Sequence, residues 1–330
     1  MRVLITGATG FLGSRTTQEF AKNPRYTHIL ATGRTLSPER RVMADHVTYL
    51  LGELTDEAFV SRLFQQPVDL VINCASLSSP WGKYEDFYQA NVVSQQILIA
   101  QSVLSSVKRF IYISSPSVYF RFRDQLDVTE NTVFPPKMVN DYARTKLEAE
   151  RLLERSSLSY VTLRPRALIG AGDTVIMPRL IRSYESGKLK IMGSGENQVD
   201  LTPVANMVDA IILAAEASQI HSNQAYNISN GQPVNLWQAI NDILQMIGHE
   251  PVKKRIPYWL LMTIAWFMEI TARHLTRDQE PTLTRYSVGV LAHSFTLNID
   301  KATKNLGYVP RQTVEEAMKE FADWYQIQLE

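Results

Sequence analysis

The stretch TGATGFLG, residues 6–13, follows the apolar run RVLI and precedes a helix-length segment. It sets Gly7, Gly10 and Gly13 at three-residue intervals between a strand and a helix. Glycines in that setting let the chain turn tightly, let backbone approach a pyrophosphate and let helix pack on strand, while the helix N-terminus attracts the anion. The stretch therefore predicts a dinucleotide site. The competing reading is a glycine turn that merely packs.

Further along, THILATG, VTYLLG, DLVINCA, RFIYISS and YVTLRP read as buried strands bounded by Gly, Pro, Asn or Ser. Helix-length segments separate them: RTTQEFAKN, EAFVSRLFQQ, the long FYQANVVSQQILIAQSVLSS and DYARTKLEAERLLERS. This alternation predicts an α/β fold, a doubly wound parallel sheet of the Rossmann type covered by helices on both faces. Ligands of such sheets bind at the carboxyl ends of the strands. After Pro165 the pattern loosens, a helix over 206–219 and the strand-like AYNIS return to the sheet, and the remainder is helical with proline breaks. The expected division is a dinucleotide-binding domain of residues 1–170 plus 200–230, and a smaller, mostly helical substrate lobe of 171–199 plus 231–330.

Across its 330 residues the chain is 45% hydrophobic and 20% charged, with a formal net charge of +1. That is an ordinary globular balance, and without a long basic run it argues against nucleic acid as the partner. Cys74, the single cysteine, lies in an apolar run, so no disulfide framework or cysteine metal site is expected; the six histidines have no ligand-like spacing, and no metal is expected. A strand begins at once, leaving no room for a signal peptide, and the cytoplasm is the default location. The apolar segment IPYWLLMTIAWFMEITA, 256–272, is interrupted by Glu269 and flanked by Lys253, Lys254, Arg255 and Arg273. It is too short to span a bilayer. The favoured reading is a helix walling an apolar substrate pocket; a helix lying flat on a membrane surface stays open, as does a homodimer.

The second strand, ILATGRT, bears on which dinucleotide binds. An acidic residue near its end would hold the ribose 2′-hydroxyl of NAD, whereas an Arg accommodates the 2′-phosphate of NADP. Here the end is Gly33-Arg34: Gly33 leaves space and the Arg34 guanidinium suits phosphate. NADP is expected, with NAD the alternative if Arg34 is only a solvated loop charge.

DYARTK, 141–146, places Tyr142 and Lys146 one turn apart on one helix face, a pair that taken alone reads more readily as an ordinary solvated helix start than as an active site. A charge about 4 Å away at an effective dielectric of about 20 interacts by roughly 4 kcal/mol. Lys146 at that range would lower the Tyr142 phenol by as much as about 3 pH units, toward neutrality, where general acid–base work is most effective.

With these motifs in order, the chain resembles the extended short-chain dehydrogenase/reductases, of the NAD(P)-dependent epimerase/dehydratase superfamily, over nearly its whole length. TGATGFLG matches TGxxGxxG, and GELTD matches GD(L/V)xD with Glu53 where Asp is usual. NCAS stands where small residues flank the nicotinamide ribose, YISSPSVY matches SSxxVY, DYARTK is the YxxxK, and LRPRALIGAGD matches LRPxxxYGPGD. The resemblance implies catalytic roles for Ser115, Tyr142 and Lys146. It also implies cofactor contacts from Gly7, Gly10, Phe11, Leu12, Gly13, Arg34, Glu53, Leu54, Ala75, Ser76, Tyr142, Lys146 and Pro165.

SSPSVYFRFRD, YNISNGQPVNLW and the C-terminal NIDKATKNLGYVPR are similar to the 3β-hydroxysteroid dehydrogenase/isomerase-like branch, and within it to bacterial 2-alkyl-3-ketoalkanoate reductases. Nucleotide-sugar epimerases typically read DFxYVDDV where this chain has DLTPVANMV, with Pro203 and Ala205 at the aromatic and acidic positions. The second lobe is rich in apolar residues and offers few clustered cations for a diphosphate. The expected reaction is an NADP(H)-dependent exchange of ketone and secondary alcohol on a small apolar carbonyl compound, with Tyr119, Phe120 and Phe122 as candidate substrate contacts. A nucleotide-sugar epimerase or dehydratase is the alternative within the family. A non-catalytic NADP sensor lies outside it, and binding alone would not need all of Ser115, Tyr142 and Lys146.

Overall fold

Among the described residues of the computed structural model, 1–274 and 279–329, seven parallel strands form the central sheet. They are β1 (Arg2–Thr6), β2 (His28–Gly33), β3 (Val47–Leu51), β4 (Leu70–Asn73), β5 (Arg109–Ile113), β6 (Tyr160–Pro165) and β7 (Gln224–Ile228). The spatial order is β7-β6-β5-β4-β1-β2-β3, so the chain reverses direction across the sheet between β1 and β4. That reversal opens a crevice at the carboxyl ends of the two strands, which is where a doubly wound sheet binds its ligand.

Strand side chains alternate between faces. Ile5, Ile72, Ile111 and Leu163 enter one core together with α1 (Phe11–Lys22) and Val204–Glu216. Leu4, Val71, Phe110 and Tyr160 enter the other, against α2 (Glu57–Leu63), α3 (Ser94–Leu104) and α4 (Asp141–Glu154). Each of those fully buried aliphatic side chains contributes about 1.5–3 kcal/mol. All the strands expected from apolar runs are present, including AYNIS as β7.

The lobe after β6 holds the helices Ile176–Glu185, Leu236–Met246, α5 (Tyr258–His274) and α6 (Arg285–Ala292). Two segments cross the division expected from sequence. Gln125–Val128, from the first half, pairs in parallel with Phe295–Leu297 of the lobe. In return Ala302, Leu306 and Tyr308 pack into the core of the main sheet. The two halves are laced together by these exchanges.

Candidate active site

Gly7 has φ +64°, and a Cβ on it would sit 2.7 Å from the Ala75 nitrogen. Gly13 presses so close to the strand that its Cβ would lie 2.1 Å from the Gly7 oxygen. At Gly10, the N-cap of α1, a Cβ would meet nothing nearer than that same oxygen at 3.2 Å, and the cap has no side-chain hydrogen bond. The first turn of α1 carries no acid. A bare, positively polarised helix end with backbone open on one side fits a pyrophosphate.

The neighbouring loops complete this rim. A Cβ on Gly33 would lie 2.2 Å from the Thr9 hydroxyl, so the space expected there is taken up by the glycine loop itself. Arg34 stands exposed beyond it and makes no ion pair among the described residues. Glu53 is exposed after β3, while Leu54 packs against the core. A Cβ on Gly172 would lie 3.7 Å from the Phe11 ring, and the Gly172 carbonyl accepts from Arg40 at 2.9 Å. After β4, Asn73 accepts from Thr6 and from the Ala75 amide, fixing Ala75 beside Gly7. Ser76 donates to Asn91 at 3.2 Å, and Asn91, in a π-helical turn before α3, also donates to Thr145 of α4. Asn91 thus ties the loop after β4 to the helix of Tyr142. Pro165 is buried at the end of β6.

Ser115 lies two residues past the end of β5 and caps the turn Pro116–Val118, its Oγ accepting from the Ser117 amide at 3.2 Å. That leaves the hydroxyl hydrogen for another acceptor. Asn140 caps α4 by accepting from Ala143, which places Tyr142 in the first turn. Burial pushes the Tyr142 phenol up, while hydrogen bonding from Ser115 and from Ser78 pulls it back down. Lys146, one turn on, is buried and donates to the Ile113 carbonyl at 2.7 Å, over the Tyr112 ring. Burial lowers its ammonium to about 7, against the opposing pull of Glu150 and Cys74. Desolvation is the largest influence on the Tyr142 phenol and its direction is upward, with the hydrogen bonds of two serines opposing it; the lowering by Lys146 expected from spacing is not among these influences.

Beneath this trio lies a buried charge network that spacing alone did not single out. Glu150, a further turn along α4, accepts from Ser114 and pairs with Arg164 of β6, whose guanidinium also donates to the Tyr119 hydroxyl. Burial would lower the Arg164 pKa, but Glu150 and Tyr119 raise it above its ordinary range. Tyr119, an expected substrate contact, is fully buried on Arg164 and faces the core. Its neighbours Phe120 and Phe122 do line a cleft of about 630 Å³ beside the start of α4. Asn140, Asp141 and Phe87 also line it, and the Phe87 ring is 6.5 Å from that of Tyr142. The rim carries Arg121, Lys137, Arg144, Arg273 and Arg285, which outnumber Asp141 and Glu269. Clustered cations were not expected, because they come from four separate segments. Behind Tyr286, whose phenol feels both Tyr142 and Arg166, the Arg166 Nε is buried without a partner.

Helix α5 reaches the cleft only through Glu269 and Arg273. Its large apolar side chains Trp259, Trp266 and Phe267 are exposed instead, so the expected apolar pocket wall is built by other residues. Among the described residues no group of His, Cys, Asp and Glu is placed to hold a metal.

The NAD dependent epimerase/dehydratase family matches residues 3–229. The chain is 31% identical to the 2-alkyl-3-oxoalkanoate reductase of Stenotrophomonas maltophilia (strain K279a), over 97% of this chain and 98% of that one. It is 30% identical to 3beta-hydroxysteroid-dehydrogenase/decarboxylase isoform 1 of Arabidopsis thaliana, over 97% of this chain and 78% of that one. Among solved structures, UDP-glucuronic acid 4-epimerase from Bacillus cereus in complex with NAD superposes over 100% of both chains, with a TM-score of 0.78 and 21% identity. That likeness speaks for the fold alone.

Proposed function

The chain belongs to the NAD dependent epimerase/dehydratase family, and from that premise we propose that it is an NADP(H)-dependent reductase of apolar 3-oxo acids. The observation that carries the reading is the cleft beside Tyr142, which combines the aromatic wall of Phe120, Phe122 and Phe87 with a cationic rim. Such a surface takes an apolar chain and a carboxylate together. The relatives named for 2-alkyl-3-oxoalkanoates and 3β-hydroxysteroids support it. Bound nicotinamide supplies the hydride. Tyr142 gives its proton to the substrate oxygen, Ser115 turns the hydroxyl hydrogen that it otherwise gives to Tyr142 toward the same oxygen, and Lys146, anchored on Ile113, fixes the turn that carries Tyr142. The rim cations orient the acid so that its carbonyl meets Tyr142.

An epimerase would oxidise and re-reduce one molecule with no net cofactor change. A reductase consumes one cofactor per alcohol formed. Incubation with NADPH and a medium- to long-chain 2-alkyl-3-oxo acid should give a steady, stoichiometric fall in NADPH absorbance, and UDP-sugars should give no product. Interconversion of UDP-sugars at constant cofactor would transfer the assignment to the epimerases.

Arg34 is assigned the 2′-phosphate because it stands exposed, beyond the glycine loop, where an acid would select NAD. A charge-assisted hydrogen bond contributes about 1.5–3 kcal/mol, so Arg34→Ala should weaken NADPH about 10- to 100-fold and leave NADH nearly unchanged in fluorescence titrations. Equal affinities of the unmodified protein for the two cofactors would remove the assignment.

A further inference from the structure

Arg166 is a cation without a partner at the edge of the site. It leaves β6 just past Pro165, and β6 lies beside β5, the strand that leads to Ser115. Ile113 pairs with Leu163, so the same register carried forward sets Ser115 opposite Pro165, one residue from Arg166. The Arg166 backbone is pinned from both sides, its amide on the Ile228 carbonyl at 3.0 Å and its carbonyl accepting from the Thr202 hydroxyl. Its guanidinium lies 5.0 Å from the centre of the Phe295 ring. That ring meets Phe120 at 5.6 Å, Phe120 meets Tyr286 of α6 at 5.7 Å, and Phe120 and Tyr286 line the cleft.

Among the described residues the Arg166 side chain makes no ion pair or hydrogen bond, and its Nε is buried. Asp200, the acid whose charge reaches it, is engaged with the Leu297 amide at 2.6 Å instead. A buried cation left uncompensated is strongly destabilising, so one that borders a site calls for an anion that arrives from outside. The rim cations are mostly committed already. Arg144 pairs with Glu148 and Arg285 with Glu269, Arg121 donates to the Val133 carbonyl, and Arg273 lies over the Trp81 ring. The cofactor's pyrophosphate belongs at the N-terminus of α1, and β6 is three strands from β1, about 14 Å across the sheet. The anion is therefore the substrate's. We propose that Arg166 selects the substrate, its guanidinium holding the carboxylate of a 3-oxo acid while Tyr142 and Ser115 hold the ketone oxygen. One carbon separates the ketone and carboxyl carbons of such an acid, so their holders must stand close together, as the ends of two adjacent strands do. The fork of a guanidinium matches a carboxylate in two parallel hydrogen bonds. The rim draws the acid in, and Arg166 fixes it.

This inference rests on the reductase reading and narrows it to acids over neutral ketones. Its test is binding, measured by calorimetry on the NADPH complex with a medium-chain 2-alkyl-3-hydroxy acid and with its methyl ester. Cofactor and alcohol are then both reduced, so no hydride moves. The unmodified chain should bind the acid about 10- to 100-fold more tightly than the ester, the worth of a charge-assisted hydrogen bond. Arg166→Met should erase that preference by weakening the acid alone. Arg166→Lys, which keeps the charge without the fork, should retain a reduced preference, and Lys137→Met on the rim should leave most of it in place. Unchanged circular dichroism and NADPH affinity would show that the variants fold. The proposal is overturned if the unmodified chain binds acid and ester alike, if both Arg166 variants keep the full preference, or if acid and ester weaken together. Each of those results would leave stoichiometric consumption of NADPH, and with it the reductase reading, to stand by itself.

Discussion

Tyr142→Phe is expected to lower kcat by about 10²–10⁴-fold, the range that a positioned acid contributes, while the affinity for NADPH stays within about twofold. The substitution removes one oxygen and one proton. The ring remains, packed near Phe87 in the first turn of α4, and the cap from Asn140 that sets this turn is untouched. Lys146 keeps its bond to the Ile113 carbonyl, so the helix has no cause to move. An interaction made only in the transition state lowers kcat and kcat/KM together. A fall in both with unchanged substrate KM is therefore the expected signature in steady-state assays. A variant that kept more than a few per cent of the rate would displace the acid to another group, with Ser115 the first candidate. Ser115→Ala is a useful companion, because it removes both a partner of the Tyr142 hydroxyl and the cap on the turn after β5.

The largest effect on stability is expected at Glu150. Its side chain is 2% exposed and that of its partner Arg164 is 4% exposed. Removing one member of a buried pair costs about 3–5 kcal/mol because the other charge is left without compensation. Glu150→Ala should therefore lower the free energy of unfolding in urea by that amount and leave Arg164 with only the Tyr119 hydroxyl. The loss should be smaller when both charges go. Glu150→Gln/Arg164→Met should recover much of it, since replacing a buried pair by neutral groups of similar volume is often close to neutral. A loss under about 1 kcal/mol in the single variant would mean that water reaches Arg164 and that the pair is far less buried than its exposure implies. The pair also bears on the site. Glu150 lies one turn from Lys146 and raises its pKa, and Ser114, which donates to Glu150, adjoins Ser115.

Much of this molecule is set by local spacing. Two of the three glycines at intervals of three are required by the local backbone, because Gly7 has a positive φ and Gly13 packs closely on Gly7. Apolar runs of four to six residues, each too short for a helix, became the seven strands, and the alternation of strand with helix required parallel pairing. Tyr142 and Lys146 share a face because helical periodicity puts them there. The family likeness rests on the same short motifs. Tertiary structure decided what periodicity does not encode. The rim of cations is assembled from segments far apart in sequence, so no window of the chain displays it. Glu150 and Arg164, or Asn91 and the loop it ties down, meet across different elements. A chain segment carries no signal for the buried partner that it lacks locally. Whether burial or a neighbouring charge governs Tyr142 depended on how deeply α4 sinks against β5. Helix α5 is apolar on every side, so its sequence has no preferred face. Only the packing of Leu261, Ala265 and Ala272 against the lobe determined that its tryptophans look outward.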